Sequence, residues 1–410
     1  MSTLSLAQPK AIVFTHVTVI DVTGAPAKPD MTVVITGDRI MALGRSSEVP
    51  MPKGAQVIDA TGKFLIPGLW DMHVHLSYYG EAALPMLVAN GVTGVRDMGG
   101  DLAQLDRWRD EITRGVRLGP HIKRAGPFVD GPKKMNPRRA SFTQIVTTEA
   151  EARRLVISLE KQGVDFIKVH SRVPREAFFA LADEAHKQKI PLVAHVPKDI
   201  TAAEASNAGA RSIEHTESLL GDAIYEEQEE VRDRRTEEAL NKLKGEKGAG
   251  LFARLARNGT WYNPTLIALY LVKGGAYEKA LAPKLLPVLR ELHRAGILLL
   301  AGSDFGGKEA GIRPGFDLHG ELVLFVKAGM TPMEALQAAT RNPAKCLNLL
   351  DSLGTVEKGK IADLVLLEAN PLGDISNTRK IAAVVVGGKL LLKQSLEKVL
   401  AEAEAKGNNG

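Results

Sequence analysis

Six side chains in this sequence have the types and spacing of metal ligands. Asp71-Met72-His73-Val74-His75 reads as the end of a strand. Side chains two apart on a strand project from the same face, so His73 and His75 can reach one cation together. Lys168 lies inside the apolar run Phe166-Ile167-Lys168-Val169-His170, where an ammonium is costly to bury and must pair, snorkel or lose its proton. A neutral lysine amine can take up carbon dioxide as a carbamate, whose two oxygens bridge a pair of divalent cations. His195 closes Leu192-Val193-Ala194-His195-Val196, His215 closes Ser212-Ile213-Glu214-His215-Thr216, and Asp304 closes Leu300-Ala301-Gly302-Ser303-Asp304. Nitrogen and oxygen donors in this mixture suit zinc or a similar transition metal. A pair of strand histidines alone is often just a pair of satisfied core residues. The six become one site only if their elements converge.

The elements predict that convergence. Eight short apolar runs, at 65–75, 92–98, 122–129, 166–170, 192–196, 212–216, 261–266 and 297–304, alternate with helical patterns. Eight βα units close into an α/β (β/α)8 TIM barrel whose site lies at the C-terminal strand ends, where the six residues fall. A doubly wound open sheet is disfavoured, because no Gly-rich phosphate turn follows the first strand and the polar residues end many strands rather than one switch point. Residues 11–66 read as short strands with turns, and 363–367 and 382–386 have the same texture. Both ends of the chain are therefore expected to build a small β-sandwich domain: 1–66 as its N-terminal part, 67–350 as the barrel, and 351–410 as its C-terminal part with a final helix. The charged segment 222–247 is expected to be an exposed helix laced with ion pairs.

Composition narrows the function classes. The 410 residues are 44% hydrophobic and 25% charged, as in an ordinary globular protein. The net charge is +5, but its 53 basic and 48 acidic residues are interspersed, which leaves no nucleic-acid footprint. No run approaches the ~18 apolar residues of a membrane span. Cys346 is the single cysteine, so no intrachain disulfide forms and a buried, inert thiol is expected. Residues 1–10 lack a basic n-region, which predicts a cytoplasmic protein, with an export signal removed before residue 1 as the alternative.

Longer motifs carry a resemblance. Pro67-Gly68-Leu69-Trp70 leading into the Asp71 to His75 segment, Ile167-Lys168-Val169, Ile213-Glu214-His215 and Gly302-Ser303-Asp304 are followed by Ala328-Gly329-Met330-Thr331-Pro332, Ala338-Ala339-Thr340 and Asn342-Pro343-Ala344. Gly354-Thr355-Val356-Glu357-Lys358-Gly359-Lys360-Ile361-Ala362-Asp363-Leu364-Val365 completes the set. Over most of its length the chain resembles the amidohydrolase superfamily. Within it, the chain is similar to the binuclear branch of Xaa-Pro dipeptidases and N-acyl amino-acid or peptide hydrolases, including ochratoxin-hydrolysing relatives. The resemblance implies two divalent cations, Zn2+ first among them: His73, His75 and Asp304 on the more buried, His195 and His215 on the more exposed, and carboxylated Lys168 on both. It also implies a small-molecule substrate and a homo-oligomer. Imidazolonepropionase, a near relative, uses one metal and no bridging lysine. Two departures lie on the substrate side: 126–132 lacks the Gly-Gly-His element of the dipeptidases, and His170 stands where relatives usually carry an apolar residue.

The expected reaction is hydrolysis of an amide or peptide bond in a dipeptide or N-acyl amino acid with a free carboxylate. Two metals sharing a water lower its pKa and polarise the carbonyl, with no organic cofactor. Asp304 accepts the water's proton and passes it to the leaving amine, which makes Asp304 and Lys168 the expected catalytic pair. Candidate substrate contacts are His170, Tyr262, His319, and Arg138 and Arg139 of the basic loop 133–139, with Lys133 and Lys134 beside them. Asp97 is expected to do no more than satisfy backbone donors. A cyclic amide, amidine or ester is the alternative substrate, and a non-catalytic assembly barrel the alternative role. The presence of all six ligands weighs against the latter.

Overall fold

The computed structural model of the chain describes residues 10–132, 140–225, 228–272, 275–307 and 311–408. The chain opens with five strands, β1 (Ile12–Val19), β2 (Lys28–Thr36), β3 (Arg39–Arg45), β4 (Gln56–Asp59) and β5 (Phe64–Pro67). β1 changes partner along its length: Ile12 to Thr15 run parallel to β4, and Thr18 and Val19 run parallel to β5. His16 between them has φ 55°, a left-handed kink that lets one strand serve two neighbours.

Parallel strands follow. β6 (Leu69–Val74), β7 (Val92–Asp97) and β8 (His121–Arg124) form a three-stranded sheet. β9 (Phe128–Asp130), β10 (Thr143–Ile145), β11 (Ile167–Val169), β12 (Leu192–Ala194), β13 (Ser212–Glu214) and β14 (Trp261–Asn263) form a six-stranded one, in the order β10-β9-β11-β12-β13-β14. Every residue of β6, β7 and β11 to β14 is buried, as parallel strands covered on both faces must be. Helices begin where the sequence provides caps. Thr148 with Glu151, Thr201 with Glu204 and Thr331 with Glu334 each close a reciprocal capping box at a helix start.

The eight expected strands do not form one continuous ladder. The run 122–129 breaks at Gly126-Pro127, where Gly126 has φ 74° and Pro127 has no N–H to donate, so β8 pairs with β7 while β9 pairs with β11. The run 297–304 is not a regular strand either. It makes isolated parallel bridges on both sides, Leu299 with Tyr262 and Phe305 with Val74, and accepts the amide of Met72 at Ala301. Asp304 donates its own amide to His73. The architecture is α/β with two parallel arcs, stitched at this segment.

β15 (Leu364–Leu367), β16 (Ile381–Val386) and β17 (Lys389–Leu392) then return to the first sheet, giving the order β17-β16-β15-β5-β1-β2-β3. Phe14, Val33, Ile40, Leu65, Leu364 and Val385 from across this sheet meet in one apolar cluster. β5 ends at Pro67 and β6 begins at Leu69, so the two sheets are joined through Gly68, whose N–H donates to Asp363 O at 2.7 Å.

The charged segment 222–247 is not one exposed helix. A helix Glu229–Lys244 buries Thr236, Leu240 and Leu243, and a second, Glu246–Arg257, starts directly after it. Cys346 is a free, buried thiol. No described helix is long and apolar enough to cross a membrane.

Packing between β6 and β7 is tight enough to test. A Cβ on Gly94 would lie 2.1 Å from Trp70 Cε2, within a fully buried indole. Overpacking of this kind costs about 1–3 kcal/mol. We expect Gly94→Ala to lower the thermal midpoint by several degrees, measured by calorimetry, and an unchanged midpoint would contradict the packing described.

Candidate metal centre

β6 delivers His73, fully buried, and the chain just beyond it delivers His75. His73 Nδ1 lies 2.9 Å from Glu214 Oε2, which leaves Nε2 facing Lys168 Nζ at 3.5 Å and Asp304 Oδ1 at 3.4 Å. His75 Nδ1 lies 3.4 Å from Gly99 O, and its Nε2 lies 3.2 Å from Asp304 Oδ1. His215 Nδ1 meets Thr265 Oγ1 at 2.9 Å. The His215 ring sits 4.6 Å from the His73 ring and 4.8 Å from that of His195, which stacks on His170 at 4.7 Å. His73, His75, Lys168, His195, His215 and Asp304 thus line one cavity of about 420 Å³.

Two of these residues occupy positions that strand alternation denies them. Ser212 and Glu214 bond each other, so both lie on the inward face of β13, and the next residue should face away. His215 turns inward all the same, with φ 68°. Likewise Ser303 bonds inward to Asp71, and Asp304, one residue on, also reaches the cavity, with φ 55°. Left-handed backbone in residues other than glycine costs of order 1–3 kcal/mol and gathers at functional sites.

The electrostatics favour ligation. Burial pushes the His73 and His215 imidazoles well below their ordinary pKa, with neighbouring charges, Lys168 among them, adding to the effect. Burial alone would raise Asp304, but His73, His75 and Lys168 around it outweigh that and hold it low, hence ionised. His73, His75 and Asp304 each offer a ligand atom within 4.8 Å of the others. Imidazoles with Nδ1 engaged, beside a carboxylate, are a donor set that fits a divalent transition metal.

Sequence reading missed the layer beneath. Glu214 accepts from Arg96 (2.7 Å) and Ser212 (2.5 Å) as well as meeting His73, all fully buried. Arg96 also donates to Met72 O. Asp71 accepts the Ser303 amide and hydroxyl, and burial pushes its pKa up to about 7. The available signal was an acid inside each of two short strand runs, Asp71 in Leu69 to Val74 and Glu214 in Ser212 to His215.

The expected substrate contacts divide. His170 lines the cavity and takes the Ser171 N–H at Nδ1 (2.8 Å). Tyr262 is fully buried in β14 and donates to His215 O at 3.0 Å, so it braces a site residue from behind. His319 is not at the cavity: it sits in the first turn of the helix Leu318–Lys327, with its two ring nitrogens bonded to Thr378 Oγ1 and Asn90 O. Packing, and not ligand contact, explains it. Lys133, Lys134, Arg138 and Arg139 lie outside the described residues. Asp97 accepts the Leu76 and Gly99 amides, which is the backbone role expected of it.

The chain is 24% identical over 368 residues to an imidazolonepropionase of Agrobacterium fabrum, covering 84% of this chain and 85% of the relative. It is 23% identical over 403 residues to an adenine deaminase of Rubrobacter xylanophilus, covering 92% of this chain but only 57% of that longer relative. A solved Xaa-Pro dipeptidase with bound methionine in its active site superposes with a TM-score of 0.73 at 23% identity, covering 93% of this chain and 100% of that one, and so shares its fold. The family model for the amidohydrolase family matches residues 64–391. With most of its length matched, and the candidate ligands inside the match, the chain belongs to the amidohydrolase family, hydrolases of carbon–nitrogen bonds.

Proposed function

We propose that this enzyme holds two divalent cations, zinc being the best fit to its donors, and hydrolyses an amide or peptide bond beside a free carboxylate. The convergence of six candidate ligands on one cavity supports the reading. His73, His75 and Asp304 would hold one cation, His195 and His215 the other, and Lys168, as its carbamate, both. The same proposal takes the two parallel arcs as one (β/α)8 barrel over 67–350, with a small β-sandwich domain from 1–66 and 351–410. When bound, the cations would lower the pKa of a water between them and polarise the scissile carbonyl. Asp304 enters ionised, able to take a proton at a carboxylate oxygen and return it to the leaving amine. Glu214 fixes the His73 tautomer by accepting from Nδ1, and Tyr262 steadies the backbone of His215. Carboxylate recognition is assigned to the basic loop 133–139, on its sequence alone. A cyclic amide is the second reading, favoured by the likeness to imidazolonepropionase.

Three outcomes are expected. Glu214→Gln should weaken metal binding about 10–100-fold while the chain stays folded, measured by chelator competition alongside a thermal melt. Unaltered metal affinity would remove Glu214 from the site. Lys168→Ala should lose most turnover, with partial rescue by short carboxylates such as formate, and a fully active variant would end the carbamate assignment. In a panel of N-acyl amino acids, their carboxamides and a cyclic imide, turnover should favour the free acids. Preference for the carboxamides would overturn carboxylate recognition, and preference for the imide would establish the second reading.

A further inference from the structure

One wall of the cavity belongs to neither the ligands nor the buried acids. Phe128, at the start of β9, is fixed on several sides. Its ring lies 5.2 Å from that of His75, 5.6 Å from that of His170 and 6.3 Å from that of Tyr78. Tyr78 in turn meets Phe142 edge-on at 5.4 Å, and the Phe128 amide donates to Phe142 O at 2.8 Å. Behind the Phe128 ring stands Gly99, with φ 146°, where an added Cβ would lie 2.8 Å from three ring atoms. The Gly99 backbone therefore blocks movement of the ring to that side. Tyr78 and Phe128 both line the cavity, and among the described residues its only charged side chains besides histidine are Lys168 and Asp304.

We propose that Tyr78 and Phe128 form a subsite that selects a substrate with an aromatic ring, or a similarly broad planar apolar group, next to the scissile bond. This rests on the amide-hydrolase reading and narrows its substrate class. A flat group laid on the wall gains offset or edge contact with two aromatic rings and excludes water from the side of the site formed by His75. The wall touches His75 and, through His170, the His195 stack, so it lies within one side chain's reach of both sets of proposed ligands. A small substituent such as methyl leaves the wall wet and gains none of this contact. Because the rings are held by Gly99 and Phe142 before any ligand arrives, the selection is largely pre-organised and should act on affinity.

The test titrates the zinc-loaded full chain with two probes that are not hydrolysed, benzylphosphonate and methylphosphonate, by calorimetry. Benzylphosphonate should bind at least about tenfold more tightly. In Tyr78→Ala, and in Phe128→Leu where it folds, the ratio between the two probes should fall below about threefold. Equal affinities in the native protein, absence of binding by both probes, or a ratio untouched by Tyr78→Ala would each overturn the subsite. The amide reading is judged separately, by the turnover panel above.

Discussion

Glu214 has no exposed surface, yet it carries the charge on which the orientation of the centre depends. A carboxylate so placed must be paired and fully bonded. Arg96 supplies the charge, Ser212 a further donor, and His73 the bond that matters to the cavity. Removing one member of such a buried pair leaves the other uncompensated, at a cost of about 3–5 kcal/mol. The effect of the arrangement is directional, because with Nδ1 of His73 engaged below, only Nε2 faces the site.

The same rigidity explains how strained backbone survives at the rim. His215, Thr265 and Asp304 all have positive φ, and each is held by bonds that a relaxed conformation would break. His215 and Thr265 restrain each other through Nδ1 and Oγ1, while Asp304 is tied by its amide to His73 O. Strain of this kind persists only where the surroundings over-determine it.

Much of this was legible in the sequence, for a physical reason. His73 and His75 announce themselves because strand periodicity is two, and Lys168 because a lysine in an apolar strand demands explanation. Lys168, His195, His215 and Asp304 fell at strand ends, and the structure brings all six to one cavity. Glu214 and Arg96 stayed hidden because the bonds that join them to each other and Glu214 to His73 span 118 and 141 residues of chain. His319 read as a substrate contact because it stands among polar residues, whereas tertiary packing buries it at a helix start. Tyr262 read as a substrate contact, but a strand interior faces core before it faces ligand. The break at Gly126-Pro127 was written in the sequence, and reading 122–129 as one run passed over the two residues least able to continue a ladder.

Gly68 is a single residue between two sheets, and this gives the molecule an order in time. β5, which runs straight into the His73 strand, is completed on its far side by β15, with Val365 opposite Ile66. A ribosome would have made both histidines, and nearly everything else in the cavity, long before that partner strand existed. Contacts spanning some three hundred residues close late, because their loop entropy must be overcome before they return any stability. β5 would therefore lack its β15 neighbour through most of synthesis, and the sheet that anchors the start of β6 is completed only near its end.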